Sequence, residues 1–310
     1  MPQVRPEQRP IRSFRLAIAA VLLVAVALAA VALAAGFHDD ERSPAKRSAA
    51  SQDPTWIVSG RSLAALRRSN AGLARRFFDN PQTLVLGEAD GMQNLVPAGY
   101  RSIPALSYTS LAEFAADAGA SLIAPEIRAV VYDPEGWDKT PAAERRDPLA
   151  AMHRFSRLAG RRGYSPIVAP GRDLALSGEA GCGKRQGELL DQAYLRCDLT
   201  AGAIGAETFV IQAAPDELEP AKLNRLLASA QAQVHSRAPD AQTIATLSTD
   251  PPGASEPLWP IDLIRAARIE FKRANGVLFN FNPATMQLAA SFLRDLERDS
   301  GTRGQLRGHT

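Results

Sequence analysis

Ala129-Val130-Val131-Tyr132-Asp133-Pro134-Glu135-Gly136-Trp137 decides the fold of this chain. Ala129 and three residues of high β-propensity form an unbroken apolar run, and an acid, a proline and a glycine then end it. A strand without polar alternation is buried on both faces, which points to a parallel sheet covered by helices. Working outward, an amphipathic stretch near 142–161 follows, and then a second apolar run at Pro166–Ala169. This is one strand–helix–strand unit, and the pattern repeats along the chain. Further strands are expected at Trp56–Val58, Thr83–Leu86, Ile103–Ser107, Thr208–Ile211, Thr243–Leu247 and Gly276–Asn280. Further helices are expected near 61–77, 110–118, 187–203, 219–236, 260–273 and 284–297. Thr140 before Pro141, with Glu144 in the first turn, reads as a helix start.

Eight such strands predict an α/β fold, a (β/α)8 TIM-barrel-like parallel barrel, with an open doubly wound sheet as the alternative. The stretch 87–102 is the weak link, because it carries no helix pattern. No glycine-rich phosphate loop follows any strand: Gly87 and Gly91 have the wrong spacing for a dinucleotide motif, and no Walker-type loop occurs. Neither a nucleotide nor another cofactor is expected.

The chain has 310 residues and a net charge of +3. Arg5, Arg9, Arg12 and Arg15 against Glu7 account for all of that charge within residues 1–37. The rest is neutral, so no basic patch for nucleic acid is expected. With 45% hydrophobic and 22% charged residues, composition is that of an ordinary globular protein.

Leu16–Ala35 contains only Ala, Val, Leu and Ile. At roughly 1.5 Å per residue it matches a hydrocarbon core of about 30 Å. The expected organisation is a basic tail at 1–15, a transmembrane anchor or signal sequence at 16–37, a flexible linker at 38–54, a barrel domain at 55–299 and a flexible tail at 300–310. The arginines place the N-terminus inside and the domain outside a cell membrane. Cleavage near Ala32-Leu33-Ala34 would instead release a secreted protein. Outside the membrane, Cys182 and Cys197 are expected to pair, in preference to remaining two small apolar thiols. Two cysteines and scattered histidines form no metal cluster.

In a barrel, chemistry sits at the C-terminal strand ends. Those ends supply Glu88 and Asp90, Tyr108, the segment Tyr132–Trp137, Gln212, Ser248 and Asp250, and Asn280 and Asn282. Asp133 and Glu135 are two apart and would share a face on an extended backbone, with Cβ atoms about 6–7 Å apart. Two close carboxylates do not both ionise cheaply, so one becomes a general acid while its neighbour stays charged. Trp137 could stack on a sugar ring. The plainer reading leaves Asp133 capping a turn and Glu135 solvated. Glu88 is a second candidate acid or a loop charge. Gln212 is a ligand contact or a structural partner. Ser248-Thr249-Asp250-Pro251-Pro252-Gly253 is a binding loop or only a tight turn, and Asn280 and Asn282 bind hydroxyls or make turns. No nucleophile-elbow motif occurs, and His153 and His235 fall inside helical stretches.

Tyr132–Trp137 with Thr140-Pro141, Glu144 and Asp147-Pro148, together with Leu247–Gly253, resembles a group of exported actinobacterial proteins with a glycoside-hydrolase-like TIM barrel. The resemblance spans roughly 80–297 and implies mainly the fold. The Asp133/Glu135 pair is also similar to the last two acids of the family 18 chitinase motif D-x-x-D-x-D-x-E. That likeness implies a substrate-assisting role for Asp133 and a general-acid role for Glu135. Val131 and Arg128 stand where the two outer aspartates would be, which departs from that pattern.

The expected activity is therefore hydrolysis of a glycan or another polyhydroxylated molecule. Glu135 would act as acid and Asp133 as its partner, with Tyr132, Trp137, Gln212 and Asn280 lining the pocket. The competing expectations are a barrel that binds envelope glycan or protein without catalysis, and an anchored enzyme acting on a small secondary metabolite.

Overall fold

A computed structural model describes residues 54–88, 95–176, 182–254 and 258–307, with side chains through 299. The chain divides into units 1–43 and 44–310, and all described residues belong to the second. The expected membrane segment 16–37 and Asp90 lie outside the described residues. Among the described residues, no helix is long and apolar enough to cross a membrane.

Eight parallel strands close into a barrel in simple sequence order. They are β1 (Thr55–Ser59), β2 (Leu84–Glu88), β3 (Ile103–Tyr108), β4 (Ala129–Tyr132), β5 (Ser165–Val168), β6 (Thr208–Ile211), β7 (Gln242–Ser248) and β8 (Gly276–Asn280). Each expected strand is present, within two residues at either end. Closure comes from β1 pairing with β8, where Thr55 sits against Gly276. A Cβ on Gly276 would collide with the Thr55 backbone, so only glycine permits this approach. The fold is a (β/α)8 TIM barrel.

Pleating sorts each strand into two faces, and two cores result. The interior holds Ile57, Leu84, Ala105, Ala129, Val131, Ile167, Ala169, Val210 and Ile244, with Leu86, Ile103 and Leu278 against them. The layer between barrel and helices holds the opposite set, including Val58, Leu106, Tyr108, Val130, Tyr132, Val168, Phe209, Ile211 and Phe279.

The helices are α1 (Gly60–Ser69), α2 (Ala71–Phe78), α3 (Leu111–Gly119), α4 (Ala142–Arg146), α5 (Pro148–Arg161), α6 (Leu190–Arg196), α7 (Pro220–Arg237), α8 (Pro260–Arg273) and α9 (Met286–Arg307). Two expected helices are each split, for local reasons. Asn70 leaves helical geometry and its side chain accepts the Leu73 N–H at 3.0 Å, starting α2. Asp147 precedes Pro148, which disfavours α geometry, and it caps α5 through Ala150 N–H at 3.1 Å. The stretch 187–203 resolves into α6 and a 3-10 segment, Leu199–Ala203, with Asp198 left-handed between them. Helix α9 runs into the segment expected as a tail.

Between β2 and β3 no helix occurs among the described residues. Leu95 covers part of the barrel wall there, and its side chain occupies the space that a Cβ on Gly87 would need. Cys182 and Cys197 form the expected disulfide, with Cα atoms 5.5 Å apart.

Candidate functional site

The inward set of most strands turns polar at the C-terminal end; β5 is the exception, with Ala169 following Ile167. Continuing the alternation one step past the apolar interior gives Glu88 after Leu86, Ser107 after Ala105, Asp133 after Val131, Gln212 after Val210 and Asn280 after Leu278. On β7, Thr246 and Ser248 follow Ile244. The mouth is thus a polar ring over an apolar floor, and Asp133 is its acid on β4.

Asp133 extends the ladder, because its N–H donates to the Tyr108 carbonyl at 2.9 Å. Across the mouth, the Gln212 amide donates to Asp133 Oδ1 at 3.4 Å and to the Ala169 carbonyl at 3.5 Å. Thr246 fixes the loop after Gln212: its hydroxyl oxygen accepts the Ala213 and Ala214 N–H groups at 2.7 and 2.9 Å. Glu135 is held from below, where the buried Thr140 hydroxyl oxygen accepts the Glu135 N–H at 2.9 Å. The helix begins at Ala142 as expected, but this bond corrects the expected cap. Thr140 serves Glu135, and Pro141 precedes α4 with no side-chain cap.

The electrostatics follow from crowding. Burial, then Glu135, then Asp173 push the Asp133 carboxyl up from 3.8 to about 7. Burial and Asp173 also raise Glu135, while the Lys139 ammonium opposes them. Three carboxylates therefore gather at the ends of β4 and β5. Sequence reasoning draws no candidate from the end of β5 and misses Asp173. The signal was Pro170-Gly171-Arg172-Asp173, a tight turn closing on an acid just past an apolar run.

Other expected residues are placed differently. Tyr132 and Tyr108 have the opposite parity to Asp133 and do not line the mouth. Tyr132 is buried in the outer layer, stacked on Phe155 with centroids 5.2 Å apart. Its hydroxyl donates to Glu144 Oε2 at 2.6 Å. Tyr108 packs on Phe114 in the same layer and donates to Asp117 at 3.2 Å. Asn282 makes a turn, with its side-chain oxygen accepting the N–H groups of Ala284 and Thr285 at 2.9 and 3.1 Å. The Ser248 hydroxyl oxygen accepts the Asp250 N–H at 3.1 Å, so that pair ties its own loop. Trp137 is 45% exposed, two residues beyond Glu135, with the Lys139 ammonium 5.1 Å from its ring. Glu88 and Asn280 are exposed at the rim.

Among the described residues, no cluster of three or more His, Cys, Asp or Glu side chains has metal-binding geometry. His153 packs on helix-layer backbone, its Nε2 lying 2.9 Å from the Ala201 carbonyl.

No family model matches the chain, and no curated protein matches it. Among solved structures it is similar to a protein of Bacteroides thetaiotaomicron assigned to the alpha-L-fucosidases. That match has 10% identity and a TM-score of 0.45, over 70% of this chain and 81% of the other. A second similar structure is the malate synthase of Haloferax volcanii, at 10% identity and a TM-score of 0.39, over 80% of this chain and 76% of the other. The closed barrel itself defines the class of protein, a TIM barrel with an acidic mouth.

Proposed function

We propose that this protein is a glycoside-hydrolase-like enzyme acting on a glycan or another polyhydroxylated molecule. The observation that carries the reading is the Asp133/Glu135 pair at the C-terminal end of β4, with Asp133 retaining its proton to about pH 7. Carboxylates whose surroundings raise their proton affinity serve acid and base roles near neutrality.

Glu135 is the more accessible of the two and donates a proton to the leaving oxygen. Asp133, oriented by Gln212, gives up its proton as pH rises through about 7, and as the carboxylate it stabilises the positive charge that develops. Trp137 offers an exposed ring on which a sugar face stacks. Export to the cell surface, with 16–37 as anchor, belongs to the same proposal. The Cys182–Cys197 disulfide supports it, since such bonds persist in oxidising compartments.

A second reading, binding without cleavage, is favoured by the two missing outer acids. Val131 is an interior barrel residue and Arg128 is exposed. The test is product formation by mass spectrometry on an oligosaccharide panel, with calorimetry alongside. Turnover by wild type that collapses in Glu135→Gln supports the enzyme. Turnover unchanged in Glu135→Gln removes the acid assignment. Binding without product in wild type selects the second reading.

A further inference from the structure

The loops after β4 and β5 are locked together around one carboxylate. The Gly171 N–H donates to the Pro134 carbonyl at 2.8 Å, bringing the two loops into contact. A Cβ on Gly171 would lie 2.5 Å from Asp173 Oδ1 and 2.9 Å from Glu135 Cγ. A Cβ on Gly136 would lie 3.0 Å from Asp173 Oδ2. Two glycines thus clear the space in which Asp173 lies against Glu135, and a side chain at either position would crowd it.

Asp173 Oδ1 is buried and has no hydrogen-bond partner. An orphaned buried acceptor is costly unless something supplies a proton. The cations nearby are directed elsewhere. Arg172, its neighbour in sequence, turns to Asp216 at 2.9 Å, and Lys139 sits over the Trp137 ring while still acting on Glu135. Across the mouth, Gln212 is neutral and engaged with Asp133. Among the described residues, the charged groups that act with Asp173 are Glu135 and Asp133, both acids.

We propose that Asp173 is a positioning residue of this site: lodged between Gly136 and Gly171, its carboxyl group sets where the Glu135 side chain lies beside Asp133. The inference rests on the acid–base reading of that pair. Asp173 does not touch the substrate. It acts through Glu135, as a like charge that makes the second ionisation of the site unfavourable. Such a division suits an acid that must be protonated when its substrate arrives.

The experiment follows the carboxyl carbons of Asp133 and Glu135 by NMR across pH, in wild type, Asp173→Asn and Asp173→Glu. Asp173→Asn keeps the shape and removes the charge. Both midpoints are expected to fall by about one pH unit, a tenfold change in proton affinity. Asp173→Glu is expected to restore them in part. Thermal melts confirm that each variant is folded, and a Gly171→Ala variant, which crowds the carboxylate without changing charge, displaces the Glu135 resonance. Midpoints unchanged in folded Asp173→Asn would overturn the proposal. The readout needs no substrate, so its failure is distinct from failure of the hydrolase reading, which the Glu135→Gln assay decides.

Discussion

The Tyr132 hydroxyl donates a 2.6 Å hydrogen bond to Glu144 Oε2, joining the barrel wall to α4, the short helix that follows it. The same carboxylate accepts the backbone N–H groups of Leu111 and Ala112 at 2.9 and 3.2 Å, at the N-terminus of α3. A negative charge there is favoured by the helix dipole. Two residues from the most distinctive stretch of the sequence thus form a clasp between β4 and α3. Tyr132→Phe should lower stability by about 1.5–3 kcal/mol, the usual loss for a hydrogen bond to a charged group. Denaturant melts measure this. Activity per folded molecule should be unchanged, because the hydroxyl faces away from the mouth.

Asp133 predicts a pH-dependent cost of keeping the site. Its folded carboxyl titrates near 7 against an ordinary value of 3.8. A raised acid contributes its stability fully below the ordinary value and loses it as pH rises through the folded value. Wild type should therefore weaken between about pH 4 and 7 relative to Asp133→Asn. The difference is on the order of 4 kcal/mol at most, from about 1.4 kcal/mol per pH unit. Melts of both proteins across this range test the sign, and an Asp133→Asn variant less stable at pH 8 would contradict it.

Glu217 and Glu270 form a second, hidden acidic pair behind β7. Glu270 on α8 is wholly buried and neither of its carboxyl oxygens has a partner. Glu217 accepts the Ser248 N–H at 2.6 Å. Burial drives both carboxyls well above 4.5, and Glu270 adds to the effect on Glu217. By the same sign rule, stability falls as pH climbs above the ordinary glutamate range. Glu270→Gln should remove much of that alkaline loss while leaving melting at pH 4 nearly unchanged.

Asp216 holds the opposite kind of charge site. It is buried, with Arg172 at 2.9 Å and Lys222 at 2.8 Å. Asp216→Ala leaves the buried Arg172 guanidinium uncompensated and should cost about 3–5 kcal/mol. Substituting Lys222, which is less buried, should cost much less. Chemical denaturation of the two variants gives the comparison.

The barrel was legible because its cause is local. Continuous apolar runs such as Ala129–Tyr132 have one stable outcome, a strand buried on both faces, and eight of them in alternation with helices close a sheet. The Asp133/Glu135 pair was legible for the same reason, since it follows directly from the end of such a run. The splits at Asn70 and Asp147 were written in the chain as capping residues, but an amphipathic pattern passes through them unbroken.

What sequence alone determined here was the succession of elements, the strand ends and the cysteines that pair. What only the tertiary structure decided was direction and company. Pleat parity relative to the closed barrel sent Tyr108 and Tyr132 outward to the helices and Asp133 inward to the mouth. Asp173, 40 positions from Asp133 in the chain, met the pair because the β4 and β5 loops cross where Gly171 bonds to Pro134. Proton affinity depends on burial and on the charges nearby, and neither exists until distant segments are packed together.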